Sequence, residues 1–328
     1  MHVRAAAGLG SVVVALLSAP AHCQVTPEQA AQIRDAIGNR IEALTILGGD
    51  YGIAGASFRS TGKFSFGETT DATVGVTKLG GAGEIGDPRP VGGLSVGWQP
   101  RVQGNMGYLE GTQRLHSPLL EGDSTRIAAY GIEFGGGARF WVNDRLSVAP
   151  TVMGLLGRMS NTYTANSAFM RANLDKATEL GLVNWNVDTF TLITPVNIQY
   201  VFTWDRTIIT LSSEPIYYHT ESFNSSNAHL QVNGDSGSLE NKVDVDVPLG
   251  LQLYGHELRA GGYLERTDLF GSLESGLNEP YIYEVHGRVV LDFLTQLWKV
   301  QWMGIGASYL WGPSITGWSV GADVVFRF

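Results

Sequence analysis

From Gly317 to Phe328 the side chains alternate. Trp318, Val320, Ala322, Val324, Phe326 and Phe328 share one parity, and Gly317, Ser319, Gly321, Asp323, Val325 and Arg327 share the other. A period of two marks a β-strand with unlike faces. One face is apolar and aromatic at both ends; the other, Val325 apart, is small or charged. The pattern recurs upstream. In 187–204, Phe190, Leu192, Val196, Ile198, Tyr200, Phe202 and Trp204 fall together. In 242–254, Val243, Val245, Val247, Leu249, Leu251 and Leu253 oppose Asp244, Asp246 and Gln252. In 283–293, Val285, Val289, Leu291 and Phe293 oppose Glu284, His286, Arg288 and Asp292. Two architectures fit: a soluble sheet with its apolar face inside, or a membrane barrel that turns that face to lipid.

Composition separates them. Charged residues are 16% of the 328, against about 25% in a soluble domain. Glycine is abundant at 42 residues, aromatics make up 10%, and mean hydropathy is near zero. Past the first residues no apolar run approaches the length of a membrane helix, about 18 residues. Few charges, many glycines and aromatics, and hydrophobicity hidden in alternate positions describe a transmembrane β-barrel. A net charge of −9 argues against a nucleic-acid partner.

The chain opens MHVRAAAGLGSVVVALLSAPAHCQ. Arg4, the apolar stretch Ala5–Leu17 and Ala19-Pro20-Ala21 read as a secretory signal over 1–21, cleaved at 21/22 or 23/24. The single cysteine, Cys23, follows His22 rather than a small residue, which disfavours a lipoprotein. No disulfide is expected in the mature body. A helical segment over 22–48 comes next, with Thr26 as N-cap, Pro27 at the first helical position and Gln29 three residues past the cap. Ile33, Ile37, Ile41 and Leu44 recur at helical spacing before Gly48-Gly49. The barrel is expected over 49–328.

Short and long links alternate. Short ones are expected near Gln99-Pro100-Arg101, Asn143-Asp144-Arg145, Asp205-Arg206, His256-Glu257 and Gln296 to Lys299. Longer ones are expected near 80–90, 115–124, 160–185, 219–241 and 270–280. Gly312 to Thr316 is short and breaks the rhythm. Outer-membrane barrels have short periplasmic turns, longer outer loops and an even number of strands. About eleven strands fall after residue 91. One more from Tyr51–Lys78 gives about twelve; three more, turning at Ser60-Thr61-Gly62 and Thr70-Asp71, give about fourteen. The expected fold is all-β: an antiparallel up-and-down barrel of twelve strands, alternatively fourteen, with a short N-terminal α-helix.

The segment IGNRIEALTILGGDYGIAGASF (37–58) and the Gly- and aromatic-rich C-terminal strands resemble the translocator barrel of autotransporters. More narrowly they resemble the solitary outer-membrane autotransporter-like barrels. That resemblance implies a twelve-stranded barrel with the helix in or near the pore, in a bacterial outer membrane. Autotransporters carry a passenger ahead of the helix; here few residues separate the signal from Thr26, and no passenger is expected. The last strand resembles the signal read by the barrel-assembly machinery, carried on Trp318, Val320, Val324, Phe326 and Phe328. The partners expected are that machinery, periplasmic chaperones, outer-membrane lipid and lipopolysaccharide.

No catalytic, metal or cofactor site is expected. Ala21-His22-Cys23 and Gly234-Asp235-Ser236-Gly237-Ser238 look like protease His and Ser segments, but His22 sits at the signal junction and Gly234–Ser238 reads as a polar loop. A triad needs one packed site. His219, Glu221, His229 and Asp235 are expected on the longest outer loop and are the candidates for an alternative, a protease or lipid-modifying barrel enzyme. Gly135-Gly136-Gly137 lacks the strand-to-helix setting of a phosphate loop and reads as relief of crowding in the sheet. Asp244, Asp246, Arg259, Glu265, Glu284, His286, Arg288, Asp292, Asp323 and Arg327 are expected to face the lumen. Their mixed signs argue against simple ion selectivity. The expected function is non-enzymatic: a small pore or a structural surface protein.

Overall fold

The computed structural model describes residues 27–49, 59–66, 72–86, 89–91, 94–115, 120–228, 230–293 and 300–326. After helix α1 (Pro27–Gly49) come β1 (Arg59–Phe66), β2 (Ala72–Glu84), the short β3 (Arg89–Val91), β4 (Leu94–Arg114), β5 (Ser124–Trp141) and β6 (Leu146–Thr164). Helix α2 (Ala168–Glu179) precedes β7 (Asn186–Trp204), β8 (Thr207–Ser225), β9 (Asn233–Leu253) and β10 (His256–Gly271). Helix α3 (Ser272–Leu277) leads to β11 (Tyr281–Asp292), β12 (Val300–Trp311) and β13 (Ile315–Phe326).

Every strand but β3 pairs antiparallel with two neighbours, and the ring closes. β1 pairs with β13 (Lys63 opposite Trp318) and with β2 (Lys63 opposite Gly75). β2 pairs with β4, and β4 to β13 follow in order. The result is a twelve-stranded up-and-down barrel. The total agrees with expectation but its partition does not: two strands precede residue 91 and ten follow it. Ser60-Thr61-Gly62 lies inside β1 and is not a turn.

The wall shows which face is lipid. Phe134, Ile305, Ile132 and Leu156 are 71%, 72%, 62% and 59% exposed. On the same outward parity lie Tyr130, Val152, Phe190, Leu251, Leu264 and Val289, all exposed large apolar side chains. A soluble protein rarely exposes so continuous an apolar band; a barrel in lipid requires one. Trp318 and Val320, each 50% exposed, belong to it. Among the described residues no helix is long and apolar enough to span a membrane; the crossing is made by strands.

β4 to β9 are 18 to 21 residues long, about twice what a bilayer needs, so they stand clear of it at the loop end. The turn end is tight. β5 and β6 meet across 142–145, and β7 and β8 across Asp205-Arg206. β9 and β10 meet at Tyr254-Gly255, with φ of 54° and 80°, one step before the expected His256-Glu257. A two-residue hairpin with both φ positive matches the twist of its strands. Gln296 to Lys299 lies outside the described residues.

Two expected links are corrected. Gln99-Pro100-Arg101 is not a turn; it lies within β4, with Pro100 opposite Ala138. The ladder continues past the proline, and the chain turns earlier, between Glu84 and Leu94. The 219–241 loop is shorter, because β8 runs to Ser225 and β9 starts at Asn233. Gly234–Ser238 is therefore strand, not loop. The triglycine relieves crowding: a Cβ on Gly135 or Gly137 would lie 2.3 Å from Val152 O or 2.1 Å from Pro150 O.

Candidate functional site: the plugged lumen

Helix α1 is inside the barrel. Its residues from Ile41 to Gly48 are all buried, so it is enclosed all round rather than laid on a surface. Its neighbours are glycines. A Cβ on Gly157 of β6 would lie 2.4 Å from Thr45 Cγ2, and one on Gly276 of α3 2.2 Å from the Asn39 carbonyl. A Cβ on Gly234 of β9 would lie 2.2 Å from Glu42 Oε2. Missing side chains thus form the seat of the helix. Glu42, buried at 1%, accepts a hydrogen bond from Ser236 Oγ at 2.7 Å.

The stripe Ile37, Ile41, Leu44 and Leu47 is 1% to 4% exposed. Around it pack inward residues of the wall, Leu109, Ala129, Leu155 and Ile193, and residues of the loop end, Leu120, Met170, Leu182 and Leu273. In the loop-end half both faces of the wall are therefore apolar. An apolar helix stripe fits this lumen because its outer half is dry.

Asp123 fixes the lid over this core. Its Oδ1 accepts from the backbone N–H groups of Asn166 (2.6 Å) and Ser167 (2.7 Å). Its Oδ2 accepts from Ser167 Oγ and Tyr163 OH, both at 2.8 Å. Ser167 also caps α2, accepting from Met170 N at 3.1 Å. On the opposite side Glu279, fully buried, accepts from Ser314 N at 2.6 Å. Burial raises its carboxyl to about 7.

The turn-end half is polar, and its charges are paired. Arg288 makes a bidentate pair with Asp244 at 2.9 and 2.7 Å and lies 3.8 Å from Asp246. Arg259 pairs with Asp246 and, at 3.5 Å, with Glu257. One layer above, Lys242 pairs with Glu265 at 2.6 Å, Tyr263 OH donates to Glu284 at 2.7 Å, and the His286 ring stacks on Tyr263 at 4.7 Å. Asp292 is partly buried at the turn end of β11. The side chain of Asp323 and the whole of Arg327, like Phe328 and the side chains of Val324 and Phe326, lie outside what the structure describes. So do residues 1–26, which include the expected signal segment.

A second cluster on the facing strands was not expected. Glu84 Oε1 accepts from Arg101 at 2.9 Å and from Arg139 at 2.8 Å, and Arg139 also donates to Ser147 Oγ (2.8 Å) and Gln199 (3.0 Å). Glu84 and Arg101 had been read into a loop and a turn. Lysine and arginine against carboxylates on inward positions of six strands hold this end of the barrel in shape. A cavity of ≈ 920 Å³ beside it is bordered by Arg288 and by Gly261, Gly306 and Gly321.

His219, Glu221 and Asp235 are not on a loop. They stand on β8 and β9, on the outward face near the loop end. His219 Nδ1 lies 2.9 Å from Asp235 and Nε2 lies 3.2 Å from Glu221, and Tyr217 OH donates to Asp235 at 2.5 Å. Both ring nitrogens face carboxylates, so neither is turned to a serine or threonine hydroxyl. His229 lies outside the described residues. Ser236 and Ser238 point the other way and are buried. Among the described residues no group of His, Cys, Asp and Glu could hold a metal. At the loop end of β11 and β12, Trp311 stacks on Tyr283 and on Tyr309, Tyr281 meets Tyr283 edge-on, and Trp204 marks the turn end. Such aromatic girdles mark the two membrane interfaces.

A closed antiparallel barrel, apolar outside, polar at one end of its lumen and threaded by a helix, defines an autotransporter-type outer-membrane barrel. Residues 93–327 match the solitary outer membrane autotransporter beta-barrel domain family, and the chain belongs to that family. Its fold is similar to the β domain of the Bordetella autotransporter BrkA, at 16% identity and a TM-score of 0.52, covering 82% of this chain and 97% of that one. It is similar also to the transport unit of the autotransporter AIDA-I from Escherichia coli, at 10% identity and a TM-score of 0.57, covering 89% and 98%. No curated protein matches the sequence.

Proposed function

We propose that this outer-membrane barrel is a non-enzymatic surface protein whose resting state is closed by its own helix. It acts as a structural element, and as a small pore only when the helix leaves. The observation that carries the reading is the complete enclosure of Ile41–Gly48. Burying an Ile or Leu side chain contributes about 1.5–3 kcal/mol, so exposing Ile37, Ile41, Leu44 and Leu47 together costs roughly 6–12 kcal/mol as an upper estimate. Thermal motion does not open such a plug.

The non-enzymatic reading is supported by the two carboxylates that occupy the His219 ring. The last strand serves as the assembly signal, with the apolar parity of Trp318, Val320, Val324, Phe326 and Phe328 presented to the assembly machinery. The aromatic and charged loop-end belt meets lipopolysaccharide. Planar-bilayer recording tests the closed state. The full chain should be electrically silent, and a form lacking residues 24–48 should conduct. A full chain that conducts as well as the truncated one would overturn the reading.

A further inference from the structure

The wall is not the same height all round. β4 to β9 have 18 to 21 residues, whereas β11, β12 and β13 have 12 each. Twelve tilted residues rise about 28 Å, close to the roughly 25 Å apolar band of a membrane barrel. On this low side the strands end at the outer face of the membrane rather than beyond it. The side chains at their loop end therefore stand at the level of the lipid head groups.

An arginine and a row of aromatic rings meet there on the outward face. Arg266 of β10 lies opposite Tyr283 of β11, and Tyr283 opposite Trp311 of β12. One step toward the bilayer Tyr309 lies opposite Trp318 of β13, and both are half exposed. Trp311 stacks on Tyr283 at 5.5 Å and on Tyr309 at 5.9 Å. The Arg266 guanidinium lies over Tyr281 and Tyr283, 5.1 and 5.6 Å from the ring centroids. Asp268 holds it along one edge, accepting from Nε at 3.0 Å and from Nη2 at 2.6 Å. Tyr283 OH accepts from Nη1 at 3.2 Å. A guanidinium carries five N–H groups. Three are used, and one remains on each terminal nitrogen, a fork that suits two oxygens of a phosphate. Beneath this row Leu264 and Val285 are exposed and apolar. A Cβ added to Gly287 would meet nothing within 4 Å, so the wall is recessed there.

We infer that this platform binds one lipopolysaccharide molecule by its phosphorylated sugar head group. A phosphate takes the open fork of Arg266, a sugar ring lies against Tyr283 and Trp311, and an acyl chain descends over Val285 and Gly287. Asp268 fixes the guanidinium and leaves its outer edge to the lipid. A phosphatidylglycerol supplies a phosphate but no sugar ring for the aromatic side chains. The inference rests on the reading that the loop-end belt meets lipopolysaccharide, and narrows it to one patch on the low side of the barrel.

The test is native mass spectrometry of the full chain folded in micelles and titrated with deep-rough lipopolysaccharide, its dephosphorylated form and phosphatidylglycerol. One lipopolysaccharide should bind per barrel, in preference to phosphatidylglycerol. Arg266→Gln should weaken it about tenfold, as expected for a lost charge-assisted contact, and dephosphorylation should do the same. Trp311→Leu should weaken it several-fold without changing phosphatidylglycerol binding, and serves where Arg266→Gln fails to fold. Arg126→Gln removes an outward arginine of the tall side, paired with Glu110 at 2.8 Å, and should change nothing. Equal affinity for phosphatidylglycerol or for the dephosphorylated form would overturn the inference. So would an equal loss in Arg126→Gln, or unaltered binding by Arg266→Gln or Trp311→Leu. Each of these leaves the wider belt reading standing, whereas a wild-type chain that binds no lipopolysaccharide removes both.

Discussion

Asp123 satisfies four donors from one carboxylate and is 1% exposed. Replacing it with alanine strands those donors, and breaking a buried charged network costs about 3 kcal/mol. Hydrogen exchange in Asp123→Ala should accelerate at 120–124 and 165–168 while β9 to β11 stay protected; unchanged exchange there would show that the lid does not depend on it. Glu279 gives a pH dependence. Its carboxyl lies at about 7 against an ordinary 4.5 because burial penalises the anion. A carboxyl raised on folding contributes stability that is complete below 4.5 and is lost as pH climbs through 7. Exchange at 272–280 and 312–315 should therefore be faster at pH 8 than at pH 5, over and above the intrinsic rate change. Glu279→Gln should remove that difference; an unaltered difference in the variant would assign it to another group.

Among the elements, β13 is the one proposed to carry the assembly signal. Deleting Phe328 should reduce folded barrel in outer-membrane fractions several-fold while leaving total synthesis unchanged; a normal yield would remove the strand from that role. The element pattern was legible where only one face of a strand is apolar. Val285 and Val289 read outward and Glu284 and Arg288 inward because the turn-end lumen is wet. Legibility failed for two physical reasons. Near Leu155 and Met159 both faces are apolar, since the inner one meets α1, so alternation blurs. At Pro100 a residue that removes a backbone donor looked like a breaker, and Arg101 was lost from the site with it. The small helices α2 and α3 hid inside long links, although Ser167 with Met170 three residues on is a cap in the making.

For the whole molecule, the barrel is two vessels in series. The loop-end half is a dry core built around a helix, and the turn-end half is a polar chamber held by paired charges. The helix was legible from its Ile spacing and its stopping glycines; its place inside the barrel was not, because a lumen of mixed charges gave its apolar stripe no evident partner. The arrangement makes the helix part of the fold rather than a tenant of an open channel. Its contact with Gly157 offers the most direct test, since a Cβ built there lies 3.8 Å from Thr45 Cβ, within the span a disulfide requires. In a Cys23→Ser background, the pair Thr45→Cys and Gly157→Cys should form an intramolecular disulfide in the membrane-inserted barrel, read as a shift in non-reducing electrophoresis and absent from either single variant. A folded double variant whose two thiols both remain free to alkylation would contradict the plugged barrel.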